Sequence, residues 1–145
     1  MQLILPADPD EDTRRILSLA LAHEKFGVLQ AETAERAKSL AAARAPDLIV
    51  LNYPMRLHSG ESLTRSLRRA PQSHHMPVVN FTSRVTPEAI ADAAADGVSV
   101  TLSKPATLDA VVDTIRQLLQ RVRPGDSHHV WLNDLQPIGE QLDDL

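Results

Sequence analysis

No cysteine occurs among the 145 residues, so thiol catalysis, disulfide bonds and thiolate-held metal centres are excluded. A reducing cytosol is the expected compartment. Aromatic residues make up only 3% of the chain, with one Trp, one Tyr and two Phe. The core must therefore be aliphatic, and no platform for stacking bases or sugars can be assembled. Long hydrophobic runs are missing as well. The segments "LIVL" and "LALA" fall far short of the ~20 apolar residues that a membrane span needs. The start "MQLILPADPD" turns acidic without the basic and then apolar stretches of a secretory signal. The expectation is a cytoplasmic protein with no membrane association.

Basic charge is also in short supply, and it is unevenly spread. Residues 124 to 145 carry five carboxylates and neither Lys nor Arg, whereas residues 1 to 123 hold 15 basic against 14 acidic groups. A near-neutral body with an acidic tail argues against a nucleic-acid partner, which favours a basic face. The length suits one domain, and at this size roughly 68–70% of the unfolded surface can be buried.

What is present is a regular alternation of short apolar runs and amphipathic segments. "QLILP" (2–6), "VLQAE" (28–32), "DLIVLN" (47–52), "MPVVNFTS" (76–83) and "VSVTLS" (98–103) read as strands. The third is continuously apolar, as strands covered on both faces are. Between and after them, 10–27, 33–45, 60–70, 86–97 and 107–122 read as helices. Gly27 and Gly97 are their stop signals, Thr33 a cap, and Pro87 a first-turn residue. Five strands alternating with five helices predict an α/β fold, a five-stranded parallel sheet with helices on both faces.

Chemistry in such a sheet lies at the carboxyl ends of the strands. Those ends are "PADPD" (6–10), Asn52, Thr82-Ser83 and Lys104-Pro105. A carboxylate cluster, a hydroxyl and a lysine converging on one point are a phosphate-handling set. No glycine follows the first strand, so a nucleotide fingerprint is absent there. The histidine pairs 74–75 and 128–129 suggest a metal only weakly. Adjacent histidines on a loop are expected to point apart, and no Cys or clustered acid accompanies them.

From "PVVNFTS" to "ADGVSVTLSKPAT", and over residues 1 to about 123 as a whole, the chain resembles the receiver domain of two-component response regulators. The resemblance implies a flavodoxin-like strand order, 2-1-3-4-5. It also implies an aspartate at the end of the third strand that takes a phosphoryl group from a histidine kinase. Two acidic residues after the first strand would help to hold Mg2+, and a Lys and a Thr or Ser would contact the phosphate. Carried over, Lys104 and Thr82 match and Asp8 matches one of the acidic pair. Asn52 stands at the acceptor position, Pro9 at the second acidic position, and Thr101 where an aromatic is usual.

The departures concern lost chemistry. The amide nitrogen of Asn52 has its lone pair delocalised into the carbonyl and cannot replace a carboxylate nucleophile. Asn52 and Pro9 together remove two charged oxygen donors from a Mg2+ site. Asp8 and Asp10 are fall-back ligands, although Asp10 and Asp12 suit the start of a helix better. The expectation is a degenerate, pseudo-receiver signalling module that is not an enzyme and has no cofactor, with Mg2+ binding weak or absent. It would act through protein–protein contact with a histidine kinase, phosphorelay or output partner. A receiver with its acceptor displaced to Asp8 or Asp10, and a small-ligand sensor using the vacated pocket, remain as alternatives. In the acidic tail, Trp131, Leu135, Ile138, Leu142 and Leu145 recur at helical spacing. They would form a docking arm or, with the last helix, a homodimer contact. Arg65, Arg68, Arg69, Arg116, Arg121 and Arg123 offer it a basic surface.

Overall fold

Apolar runs become strands and the capped segments between them become helices. The computed structural model describes residues 1–121. Along the chain lie β1 (Leu3–Ala7), α1 (Glu11–His23), β2 (Gly27–Val28), α2 (Ala34–Arg44), β3 (Leu48–Leu51) and α3 (Leu63–Arg69). They are followed by β4 (Val78–Thr82), α4 (Pro87–Asp96), β5 (Val100–Ser103) and α5 (Leu108–Arg121). All strand pairs are parallel and the order is β2-β1-β3-β4-β5, as expected. The boundary at residue 123 and the tail residues Trp131, Leu135, Ile138 and Leu142 lie outside the described residues.

All five helices start on a side-chain cap. Asp10, Thr33, Ser62, Thr86 and Thr107 each accept a hydrogen bond from the backbone N–H three residues on, satisfying a donor that the helix itself cannot. Gly97 closes α4 at φ 110, a conformation that favours glycine. Gly27 is not the stop expected for α1. The helix ends at His23, Lys25 turns left-handed at φ 73 and Gly27 opens β2. Strand β2 is also shorter than the expected 28–32. Leu29 and Ala31 still donate to the carbonyls of Ile4 and Pro6, but Pro6 has no N–H to return on that side, and the ladder lapses.

Alternate residues of each strand feed two cores. On one face Ile4, Leu48, Val50, Val79, Phe81 and Leu102 meet Leu17 and Leu21 of α1 and Val111, Ile115 and Leu118 of α5. On the other, Leu5, Ile49, Leu51 and Val78 meet the alanines of α2, Leu63 and Leu67 of α3, and Ala93 of α4. Ala93 is the only buried residue of α4, so packing holds that helix least.

The basic surface expected for the tail is largely committed within the body. Arg68 turns inward and donates to the carbonyls of Gly97, Met76, Ser73 and His74. Burial lowers its guanidinium to about 10, still charged at neutral pH. Its side chain passes so close to Gly97 that a Cβ there would come within 2.8 Å. Arg65 pairs with Asp96, Arg69 with Glu61 and Arg116 with Glu24, and Arg121 also has a partner.

Candidate functional site

The last pairs of the β1–β3 and β4–β5 ladders, Ala7 with Leu51 and Thr82 with Ser103, bring Asp8, Asn52, Thr82 and Lys104 to one edge of the sheet. Asp8 is 6% exposed, and both of its carboxylate oxygens are engaged. One accepts from the backbone N–H of Asp10 at 2.9 Å and the other from Lys104 Nζ at 3.0 Å. The ammonium also lies 5.3 Å from the centre of the Phe81 ring, within cation–π range. Arg14 donates to the Asp8 carbonyl at 2.7 Å, which fixes the turn leaving β1. Lys104 thus acts as the counter-ion of Asp8, from within the chain. On the α1 side of Asp8, away from Lys104, a cavity of about 10 Å³ is walled by Asp8, Thr13, Arg14, Leu17 and Phe81.

Of the fall-back ligands Asp8 is held by Lys104, and Asp10 and Asp12 are engaged by other partners. Asp10 caps α1, and its hydrogen bonds with Thr13 hold its carboxyl below the ordinary value. Asp12 pairs with Arg15 at 3.3 Å on the surface, and Pro9 is exposed. Asp8 is thus the one carboxylate held at this edge, and it is paired with Lys104. Among the described residues no group of three or more His, Cys, Asp or Glu is placed to hold a metal. His74 and His75 do not point apart as expected. Their rings meet edge to face with centroids 4.5 Å apart, because His74 Nδ1 bonds the Arg68 carbonyl.

The β3–β4 side is built of neutral groups. Asn80, 2% exposed, accepts from the Tyr53 backbone N–H at 2.9 Å and donates to Thr101 Oγ1 at 3.3 Å. An N–H can only donate, so this partner fixes which end of the Asn80 amide is the oxygen. Thr101, which stands where an aromatic is usual, thus holds the Asn80 amide in place. Tyr53 in turn donates its hydroxyl to Asp96 at 2.7 Å. Burial first, and then the Asp96 carboxylate, push the phenol up to about 12. Thr82 is the strand-end hydroxyl expected: its Oγ1 accepts from the Arg84 N–H at 3.1 Å, and its carbonyl accepts from the Lys104 N–H at 2.7 Å. Ser83 is exposed.

Asn80, Tyr53 and Asp96 were not among the residues anticipated from the sequence. The signal for Asn80 was nonetheless in "VVNFT": a polar amide amid buried strand residues must find partners. For Tyr53 and Asp96, 43 residues apart, no local pattern exists.

Residues 4–116 match the model of the response regulator receiver domain. The chain is 27% identical over 124 residues to the phosphate regulon transcriptional regulatory protein PhoB of Pseudomonas aeruginosa, covering 86% of this chain and 54% of that protein. It is 33% identical to the KDP operon transcriptional regulatory protein KdpE of Escherichia coli, covering 83% and 52%. The chain thus spans about half the length of these relatives. Among solved structures, a response regulator from Desulfuromonas acetoxidans superposes with TM-score 0.78 at 25% identity, over 85% of this chain and 100% of that one. The non-phosphorylated HemR receiver domain from Leptospira biflexa gives 0.74 at 23%, over 87% and 100%. The expected absence of a nucleic-acid partner finds no support here, since PhoB and KdpE are named as transcriptional regulators.

Proposed function

Starting from the fact that this chain belongs to the response regulator receiver domain family of two-component systems, we propose that it is a pseudo-receiver. In this reading it signals by protein–protein contact, without accepting a phosphoryl group, without Mg2+ and without enzymatic activity of its own. The partner is a histidine kinase, a phosphorelay protein or an output protein, met in the cytoplasm. The observation that carries the reading is Asn52 at the end of β3, beside an Asp8–Lys104 pair that is already closed at 3.0 Å. An amide is no nucleophile toward phosphorus, and the one buried carboxylate nearby is neutralised by its own lysine.

The other readings fit the geometry less well. A displaced acceptor at Asp8 would have to break two hydrogen bonds from a 6% exposed position, and Asp10 is committed to capping α1. A small ligand in the vacated pocket would have to compete with the Asp8–Lys104 pair, already closed at 3.0 Å. Incubation with radiolabelled acetyl phosphate and Mg2+ is expected to leave the protein unlabelled. Label that disappears on Asp8→Ala would establish a displaced acceptor and overturn the proposal.

A further inference from the structure

The loop after Asn52 has spent its backbone donors. The Tyr53 N–H goes to Asn80 Oδ1 at 2.9 Å, Pro54 has none, and the Met55 N–H turns back to the Asn52 carbonyl at 3.1 Å. An oxyanion developing on the side chain at position 52 would need such donors, since preorganised N–H groups are what stabilise it. Asn80 lies on β4 directly across from Thr101 in the register, and Thr101 Oγ1 fixes its amide by accepting from Nδ2. Asn80 therefore presents its oxygen, and only its oxygen, to the loop. The same bond sets the start of Tyr53, whose hydroxyl reaches Asp96 at the end of α4, the helix that buries only Ala93.

We infer that Asn80 is a positioning residue: by holding the Tyr53 amide it keeps the loop after Asn52 closed to any anion, a phosphoryl group included, whatever residue occupies position 52. This rests on the pseudo-receiver reading and adds a second barrier to the missing carboxylate. Without the Asn80 oxygen, the amide would open onto a cleft of about 140 Å³ lined by Tyr53, Pro54 and Arg84, where water or an anion can reach it.

The test is made on the full chain carrying Pro9→Asp and Asn52→Asp, with Asn80 retained or replaced by Leu, a side chain of similar size without polar atoms. The probe is beryllium fluoride with Mg2+, which occupies an aspartate as a phosphoryl group does, followed by calorimetry and fluorine NMR. The Asn80→Leu form is expected to bind at least about tenfold more tightly, a ratio equivalent to ~1.4 kcal/mol. Equal binding by the two forms, or binding by neither, overturns the inference.

A second measurement in the otherwise unaltered protein guards against a folding defect. Amide exchange at Tyr53 should accelerate at least about tenfold in Asn80→Leu and stay slow in Asn80→Asp, which keeps an acceptor oxygen. Unchanged protection in Asn80→Leu also overturns it. Phosphoryl uptake by the unaltered chain would instead refute the pseudo-receiver reading, a separate result.

Discussion

The two halves of the site, the Asp8–Lys104 pair beyond the ends of β1 and β5 and the group formed by β3, β4 and Thr101 of β5, obey different electrostatics. The first holds a full negative and a full positive charge, Asp8 and Lys104, 3.0 Å apart with side chains 8% and 23% exposed. The second holds amides and hydroxyls: Asn52, Asn80, Thr101 and the backbone of Tyr53. The charged half is complete because it carries its own cation. In the neutral half the Asn80 amide is satisfied at both ends, by the Tyr53 N–H and by Thr101 Oγ1. A carboxylate at position 52 would upset both, adding a second negative charge next to Asp8 with a single lysine to share. Like charges so close cannot both ionise cheaply. The lesson is that Asn52 is consistent with its surroundings and is not an isolated loss.

The largest test of this contrast is Lys104→Met. It leaves the Asp8 carboxylate buried with one backbone N–H and no cation, and breaking a buried pair costs about 3–5 kcal/mol. Lys104 is partly open to solvent, so the expected loss is nearer about 2–3 kcal/mol, read by urea unfolding. Adding Asp8→Asn should recover most of it, because the stranded charge goes. A loss below about 0.5 kcal/mol would make the pair no different from a surface ion pair, and the contrast between the halves would fail.

Much of this arrangement was legible in the sequence. The strand order, the cap at Thr33, the first-turn Pro87, and the gathering of Asp8, Asn52, Thr82 and Lys104 followed from periodicity, punctuation and resemblance, all of them local signals or family patterns. The residues that were not legible act across the sheet or between helices. Thr101 was legible only as standing where an aromatic is usual, because its partner Asn80 is on the neighbouring strand, 21 residues away. Arg68 was read as part of a basic surface, since nothing local says that a carbonyl-rich turn at 73–76 and Gly97 will fold over it. Gly27 was misplaced as a helix stop because Lys25 takes the left-handed position itself, an option that sequence punctuation ranks low.

The neutral half extends to α4 through Tyr53, and pH probes that link. The phenol is raised to about 12 by burial and by Asp96, against about 10 in an unfolded chain. Below pH 10 both states keep the proton and the hydrogen bond contributes fully. As pH rises from 10 toward 12 the unfolded state ionises first, so unfolding becomes easier. Tyr53→Phe should cost about 1 kcal/mol at neutral pH and flatten that alkaline decline. Its expected effect is smaller than that of Lys104→Met because no charge is left stranded. If the Tyr53 absorbance titrates near 10 in the folded protein, the tie between the loop and α4 is absent and the neutral half ends at Asn80.

The smallest effect is expected at Asp10, where the two halves could still be joined by a metal. Asp10 is exposed and caps α1 by accepting from the Thr13 N–H at 3.2 Å, at the helix end that favours negative charge. Asp10→Ala removes that acceptor and the charge, so α1 should fray at its first turn, with a drop in melting temperature smaller than either change above. Mg2+ separates capping from coordination. As a cap, Asp10 has its side chain committed to Thr13, and adding Mg2+ should leave the melting temperature of both the native chain and Asp10→Ala unchanged. As a ligand completing a site with Asp8, it would make Mg2+ stabilise the native chain and not the variant, since whatever binds only the folded state raises its stability. That second outcome would mean that the charged half is held open for a metal in solution, with Lys104 displaced from Asp8.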